Sequence, residues 1–214
     1  MTSPKDYGAS NKVQRYGVSA IIEEFAENLV KISGKCMDIG CGPGNITKEF
    51  LLPSIDSNGQ IIGIDILESM IKYANESFGD EKRLQFDVLN IETKTLPKKY
   101  ISEFNHIFSF YTLHWCNDIR QALENIYQML RHNGTILLYI VAFHDLCEVI
   151  RILARDTRFT SYVPDAIKNI YPYQESKNPR KELKELLESI GFTVHHCSLR
   201  EATYSDKKPE HFMK

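Results

Sequence analysis

The stretch MDIGCGPGNIT, residues 37–47, decides the fold of this chain. An apolar run ends in Asp38, three glycines follow on alternate positions, and a segment able to form a helix begins at Ile46. A strand that runs into a glycine-rich turn and then a helix brings backbone close to a nucleotide, because missing side chains allow the approach and Pro43 stiffens the turn. The spacing is G-x-G-x-G, and Asn45 stands where a dinucleotide fingerprint carries its third glycine. No basic residue between Gly40 and Asn45 could hold a pyrophosphate.

Outward from the loop, short apolar runs alternate with longer amphipathic segments, the pattern of strands joined by crossover helices. Strands are expected at 35–39, 60–66, 84–88, 105–111, 135–142 and 192–199. Helices fit at 18–32, 46–52, 67–77, 118–130, 145–155 and 180–189. DSNG before the second strand and RHNG before the fifth place Asn and Gly where helices stop and turns form. The alternation predicts an α/β fold, a doubly wound, mostly parallel sheet with helices on both faces, as a single domain over 1–214. Two regions stand outside it: residues 1–17 and the Tyr- and Pro-rich segment 157–179, which reads either as a cap over the sheet or as a surface excursion. Open parallel sheets bind ligands beyond the carboxyl ends of their strands, so the strand-to-helix loops are where function should lie.

Composition narrows the classes. With 214 residues and 43% apolar content the chain can bury one substantial core. Its 26 basic and 28 acidic residues are scattered, which gives no electrostatic attraction to a phosphate backbone, and nucleic acid is not an expected partner. No apolar run approaches the ~20 residues of a membrane span, and the opening MTSPKDYGASNKVQRYG lacks the apolar core of a secretory signal, so a cytoplasmic location is expected. Cys36, Cys41, Cys116, Cys147 and Cys197 fall at no metal-ligand spacing and read as reduced, mostly structural thiols. His106, His132, His144, His195, His196 and His211 likewise form no metal pattern, and the adjacent pair in TVHHC would point to opposite faces of a strand. No metal is predicted.

Two further loops carry chemistry. In IIGIDI, Asp65 ends an apolar run where its carboxylate can accept both hydroxyls of a ribose, a role shared by dinucleotide and other nucleotide sites. In QFDV, Asp87 can accept from an exocyclic amine while the Val88 backbone donates to a ring nitrogen, which suits adenine; a helix N-cap is the competing use of an Asp there.

Together MDIGCGPGNIT, IIGIDI with Met70 after it, QFDV and FSFYTLHWCND resemble the class I S-adenosylmethionine-dependent methyltransferases across roughly 36–142, whose fold is Rossmann-like. LHW after the fourth strand, with SNKVQRY near the N-terminus, is similar to the small-molecule carboxyl methyltransferases, including the trans-aconitate type. The texture is nearest to the insect juvenile hormone acid methyltransferases, and that resemblance extends through GFTVHHCSLREATY. The resemblance implies S-adenosyl-L-methionine as cofactor, with Gly40, Gly42 and Gly44 under its methionine and ribose and Asp38 orienting the amino group directly or through water. It further implies that Asp65 binds the ribose, Ile66 and Met70 flank adenine, Asp87 and Val88 read its amine edge, and Ser109 lies near the methionine part.

A sulfonium methyl is already activated, so such an enzyme mainly holds a nucleophile in line and excludes water. A carboxylate acceptor is ionised near neutral pH and needs hydrogen-bond donors, not a base. Gln14, His114 and Trp115 supply amide, imidazole and indole N–H groups for that purpose, although a His can also serve as base for a neutral acceptor. The expected partner is a small hydrophobic carboxylic acid, such as juvenile hormone acid or farnesoic acid, with a trans-aconitate-type acid or a non-catalytic cofactor-binding protein as alternatives. Relatives of this kind close with a hairpin whose last strand inserts between the fifth and sixth; here YSDKKPEHFMK follows the sixth directly, so the hairpin is expected to be incomplete.

Overall fold

The computed structural model describes residues 3–159 and 172–203. Five strands, β1 (Lys35–Ile39), β2 (Gln60–Asp65), β3 (Leu84–Val88), β4 (Phe104–Phe110) and β5 (Leu130–Tyr139), form one sheet in the order β3-β2-β1-β4-β5. Every pairing is parallel. The order reverses between β1 and β4, which places the loop after β1 at the switch point, where such sheets bind ligands.

Alternation along the strands feeds two cores. Met37, Ile39, Ile64 and Ile107 face one side, packed under α6 (Ile119–Met129) and α8 (Pro179–Ile190). Cys36, Ile61, Phe86, Phe108 and Phe110 face the other, under α2 (Lys12–Glu24) and α5 (Glu68–Phe78). Asp118 caps α6 by accepting from the Gln121 N–H at 3.0 Å, so the expected helix from 118 begins with its cap. The expected helix at 145–155 is α7 (Asp145–Arg155).

Four expected elements differ. The helix read at 18–32 starts six residues earlier, as α2, and breaks at Phe25 before a short α3 (Ala26–Leu29). Polar residues hold its first turns through tertiary contacts: Arg15 pairs with Glu49 at 2.6 Å and lies 4.8 Å over the Phe50 ring. Ahead of it lies α1 (Pro4–Ser10), in a segment read as standing outside the strand–helix alternation. The helix read at 46–52 is a π turn, Thr47–Leu51, running into α4 (Leu52–Ser54). Pro53 lacks an N–H and its ring crowds the carbonyl four residues back, which favours the wider turn.

The RHNG stretch lies inside β5, not before it. The β4–β5 register jumps from Phe104↔Leu130 to His106↔Thr135, and Asn133 takes a left-handed φ of 61° to absorb the extra residues. The sixth strand expected at 192–199 is not formed among the described residues. Phe192 and Val194 pack into the core beneath α8, and Cys197 and Leu199 line a groove with α8 residues Arg180 and Leu183, so the segment finds burial without a ladder partner. His195 and His196 are both exposed instead of alternating. Of the 157–179 segment, residues 160–171 lie outside the described residues, as do residues 1–2 and the tail from 204.

Candidate active site

The loop after β1 is laid across the end of β2: the N–H groups of Gly40 and Cys41 both donate to the Ile64 carbonyl, at 2.8 and 3.0 Å. Gly40 has φ of 73°, and a Cβ there would stand 2.0 Å from Thr112 Oγ1 on the loop after β4. Only glycine fits so tight a crossing of two loops. The three glycines then lead through Asn45 and Ile46 into the π turn.

Asp38, one residue before the end of β1, lies beneath the loop and is buried; Thr47, the first residue of the π turn, donates its hydroxyl to Asp38 Oδ2 at 2.6 Å. Burial, helped by the nearby Asp65 charge and opposed by the Thr47 hydrogen bond, holds the Asp38 carboxyl up at about 7. Asp65 is gripped on both oxygens by backbone: Gly42 N–H donates to Oδ2 at 3.0 Å and Leu67 N–H to Oδ1 at 2.9 Å. Burial raises its pKa while these hydrogen bonds lower it. A carboxylate has about four acceptor positions, so this one can still take two ligand hydroxyls.

Register brings the β3 residues beside Asp65, with Asp65 opposite Val88 and Ile64 opposite Asp87. Ile66 is exposed and Met70 is buried on α5. Asp87 Oδ2 accepts from the Tyr100 hydroxyl at 2.6 Å and from Lys99 Nζ. Burial pushes the Asp87 carboxyl up, but its bonds to Lys99 and Tyr100 leave it below the ordinary value. The Val88 N–H, expected to face a ring nitrogen, here donates to Asp87 Oδ1 at 2.9 Å. Ser109 is buried at the end of β4, donates to the Ile39 carbonyl at 3.2 Å, and ties β1 to β4 below the loop.

A cleft opens above the loop, walled by Tyr7, Asn11 and Gln14 on one side and by Phe110 and Tyr111 at the end of β4 on the other. Tyr7 comes from α1, Asn11 from the residue between the two helices and Gln14 from the first turn of α2, and together they present one face to the cleft. Gly17, one turn beyond Gln14, lets that face dock: a Cβ on it would meet the Tyr111 hydroxyl at 2.1 Å. Glycine inside a helix costs about 1 kcal/mol, and here it yields the close approach that sets Gln14 over the site. Gln14 thus shares a cleft with the glycine loop. Tyr7 and Asn11 were not singled out in the sequence, and their place just ahead of Gln14 was the available signal.

His114 and Trp115 occupy a 3-10 turn, Leu113–Trp115, with rings 5.3 Å apart. His114 is 3% exposed, and burial lowers its pKa to about 4, with His144 adding repulsion. The Val141 N–H reaches His114 Nδ1 at a long 3.5 Å, which leaves the proton of the neutral ring on Nε2. Trp115, read as a donor in the loop after β4, is 60% exposed and, like His114, is not among the residues lining the cleft. Among the described residues no group of three or more His, Cys, Asp or Glu side chains could hold a metal, and no helix is long and apolar enough to cross a membrane.

Residues 37–136 match the family described as Methyltransferase domain. The juvenile hormone acid O-methyltransferase of Drosophila melanogaster is 33% identical over 202 residues, 92% of this chain and 68% of that protein. Its Bombyx mori counterpart is 34% identical over 189 residues, 87% of this chain and 67% of that protein. The chain belongs to the S-adenosylmethionine-dependent methyltransferases. Among solved structures, the CurJ carbon methyltransferase shares the fold of this methyltransferase, with a TM-score of 0.60 and 22% identity over 93% of this chain and 52% of that one.

The cleft fits the cofactor of that family. Asp38 lines it, Asp65 anchors its loop, and no Lys or Arg is among the lining residues. Two amide oxygens in its wall, Asn11 Oδ1 and Asn45 Oδ1, are buried without a hydrogen-bond partner. Such a surface suits a molecule with ammonium and sulfonium charges and opposes an anionic pyrophosphate. The methyltransferase loop therefore carries both the shape and the charge for S-adenosylmethionine.

Proposed function

We propose that this enzyme methylates the carboxylate of a small hydrophobic acid, with an isoprenoid acid such as juvenile hormone acid or farnesoic acid as acceptor. The observation that carries the reading is His114. A neutral imidazole with a pKa near 4 is a poor base but a sound N–H donor. A hydroxyl or ammonium acceptor needs a proton removed, whereas a carboxylate arrives ionised and needs only to be held. The two insect relatives are named for an acid acceptor, which supports the same assignment.

S-adenosylmethionine supplies the activated methyl when bound. The chain's own residues do the rest by position. Asp65 takes the ribose hydroxyls, and Asp38 with the glycine loop holds the amino acid end. Ile66, Met70 and Val88 flank the adenine and Asp87 accepts from its amine. Gln14, on the wall of the same cleft, donates its amide N–H to one acceptor oxygen, and His114 Nε2–H with the Trp115 indole N–H, from the turn that follows the Phe110–Tyr111 wall, serves the other. Ser109 braces β1 against β4 beneath them. Phe110 and Tyr111 wall the cleft against water, whose exclusion strengthens each of these hydrogen bonds.

The test is product identification. Incubation with isotopically labelled S-adenosylmethionine and a mixture of isoprenoid, dicarboxylic and hydroxy acids is expected to label a methyl ester of an isoprenoid acid, read by mass spectrometry. Gln14→Ala is expected to cut ester formation at least tenfold, as loss of one positioned donor does, while leaving S-adenosylhomocysteine binding within about twofold of wild type. A labelled amine or ether, or cofactor binding with no product from any acid, sinks the assignment.

A further inference from the structure

Asn11 sits at the joint between α1 and α2, where an Asn side chain ordinarily caps the following helix. Here it does not: α2 has no side-chain cap bond. The backbone of Asn11 is already used, its N–H donating to the Tyr7 carbonyl at 3.1 Å and its carbonyl accepting from the Arg15 N–H at 2.9 Å. The side chain is 3% exposed, lines the cleft, and keeps Oδ1 without a partner. Asn45 does the same from the glycine loop opposite, with its Oδ1 also buried and unpaired on the cleft wall. The two elements stand close: a Cβ on Gly8 of α1 would lie 3.3 Å from Asn45 Oδ1, and a Cβ on Gly42 would lie 3.6 Å from the Tyr7 ring.

Buried amide oxygens are rarely left unpaired in native proteins. These two share the cleft with the Asp38 carboxylate, close to Asp65, and no cationic side chain lines it. The group that meets such a set is compact, positively charged and carries several N–H donors, as a primary ammonium does.

We infer that Asn11 and Asn45 accept hydrogen bonds from the methionine ammonium of the bound cofactor, so that α1 and α2 close on the loop as a clamp. The inference rests on the cofactor site of the preceding reading and adds the N-terminal helices to it. Asn11 is the N-cap of α2, three residues ahead of Gln14, so engagement of the ammonium also fixes the start of the helix that carries the residue assigned to the acceptor. Cofactor binding then precedes and enables acceptor binding.

Calorimetric titration of two ligands separates the claim from a structural role. One is S-adenosylhomocysteine; the other is its deamino analogue, which lacks only the ammonium. Asn11→Ala and Asn45→Ala are each expected to weaken S-adenosylhomocysteine at least tenfold and to leave the deamino analogue within twofold of wild type. Asn11→Asp, which keeps an acceptor in place, is expected to retain the preference for the amine. Equal losses for both ligands, or unchanged S-adenosylhomocysteine affinity, overturn the inference while leaving the cofactor site intact. Should wild-type protein bind neither ligand, the cofactor reading itself falls. If Asn11→Ala does not fold by circular dichroism, Asn11→Ser and Asn45→Ala carry the same comparison.

Discussion

Replacing Gly40 by alanine is expected to lower the melting temperature by about 10 °C and to abolish measurable binding of S-adenosylhomocysteine. Two effects add at this residue. A left-handed backbone costs a non-glycine residue roughly 1–2 kcal/mol. The new methyl group would also be driven into Thr112, whose Oγ1, Cγ2 and Cβ stand 2.0, 2.3 and 2.6 Å from the Cβ position. Overpacking of that kind costs about 1–3 kcal/mol, and it is relieved only if one of the two loops withdraws. Either withdrawal disturbs the switch point, because Gly40 and Cys41 hold the Ile64 carbonyl and Thr112 leads directly to His114 and Trp115. Because all three Thr112 atoms crowd the site, Thr112→Gly is the compensating change. The double variant is expected to recover about half the lost stability, leaving the backbone strain. A Gly40→Ala protein with wild-type melting and binding would show that the two loops do not cross as tightly as described.

The loop and the first four strands were legible because their signals are local. An apolar run of four or five residues, a carboxylate at its end and a glycine turn need no knowledge of the rest of the chain, and β1 and β3 fall at their expected bounds. The misread elements depend on distant partners. Helix α2 begins among polar residues because Arg15 finds Glu49 and Phe50, and Gly17 finds Tyr111, none of which shows in its own periodicity. The apolar alternation of 192–194 reads as a strand, yet it is satisfied by packing under α8, since alternation reports burial and says nothing of a ladder partner. RHNG carries real turn chemistry, spent on an irregularity inside β5 and not on a boundary.

In the site the division is similar. Asp38, Asp65 and Asp87 lie at strand ends, and a carboxylate there is visible in the sequence. Their fixed hydrogen-bond partners, Thr47, the Gly42 and Leu67 amides, and Tyr100, are set by chain crossings and are not. Trp115 shows the converse: a lone tryptophan after a strand reads as part of a pocket, while the 3-10 turn leaves it exposed and buries the neighbouring His114.

Asp38 is expected to give stability and cofactor affinity opposite slopes with pH. Its folded carboxyl titrates near 7, above the unfolded value of about 3.9, so the native state holds the proton more tightly. As pH rises through that window the unfolded chain ionises first, and the native state loses up to about 4 kcal/mol, the full cost being reached above pH 7. Affinity should run the other way. A cofactor ammonium at Asp38 favours the carboxylate, so binding of S-adenosylhomocysteine tightens up to tenfold per unit below pH 7 and levels off above it. At pH 6 it should release a proton, seen as a dependence of the calorimetric heat on buffer ionisation enthalpy. Asp65, Cys41 and Tyr7 lie in the same field, their pKa values raised chiefly by burial. The variant Asp38→Asn isolates the one group: melting at pH 8 should rise, binding should weaken, and both pH slopes should flatten. Affinity that is constant from pH 5.5 to 8 in wild type, or a slope that survives in Asp38→Asn, would remove Asp38 from the ammonium and leave Asn11 and Asn45 as its only partners.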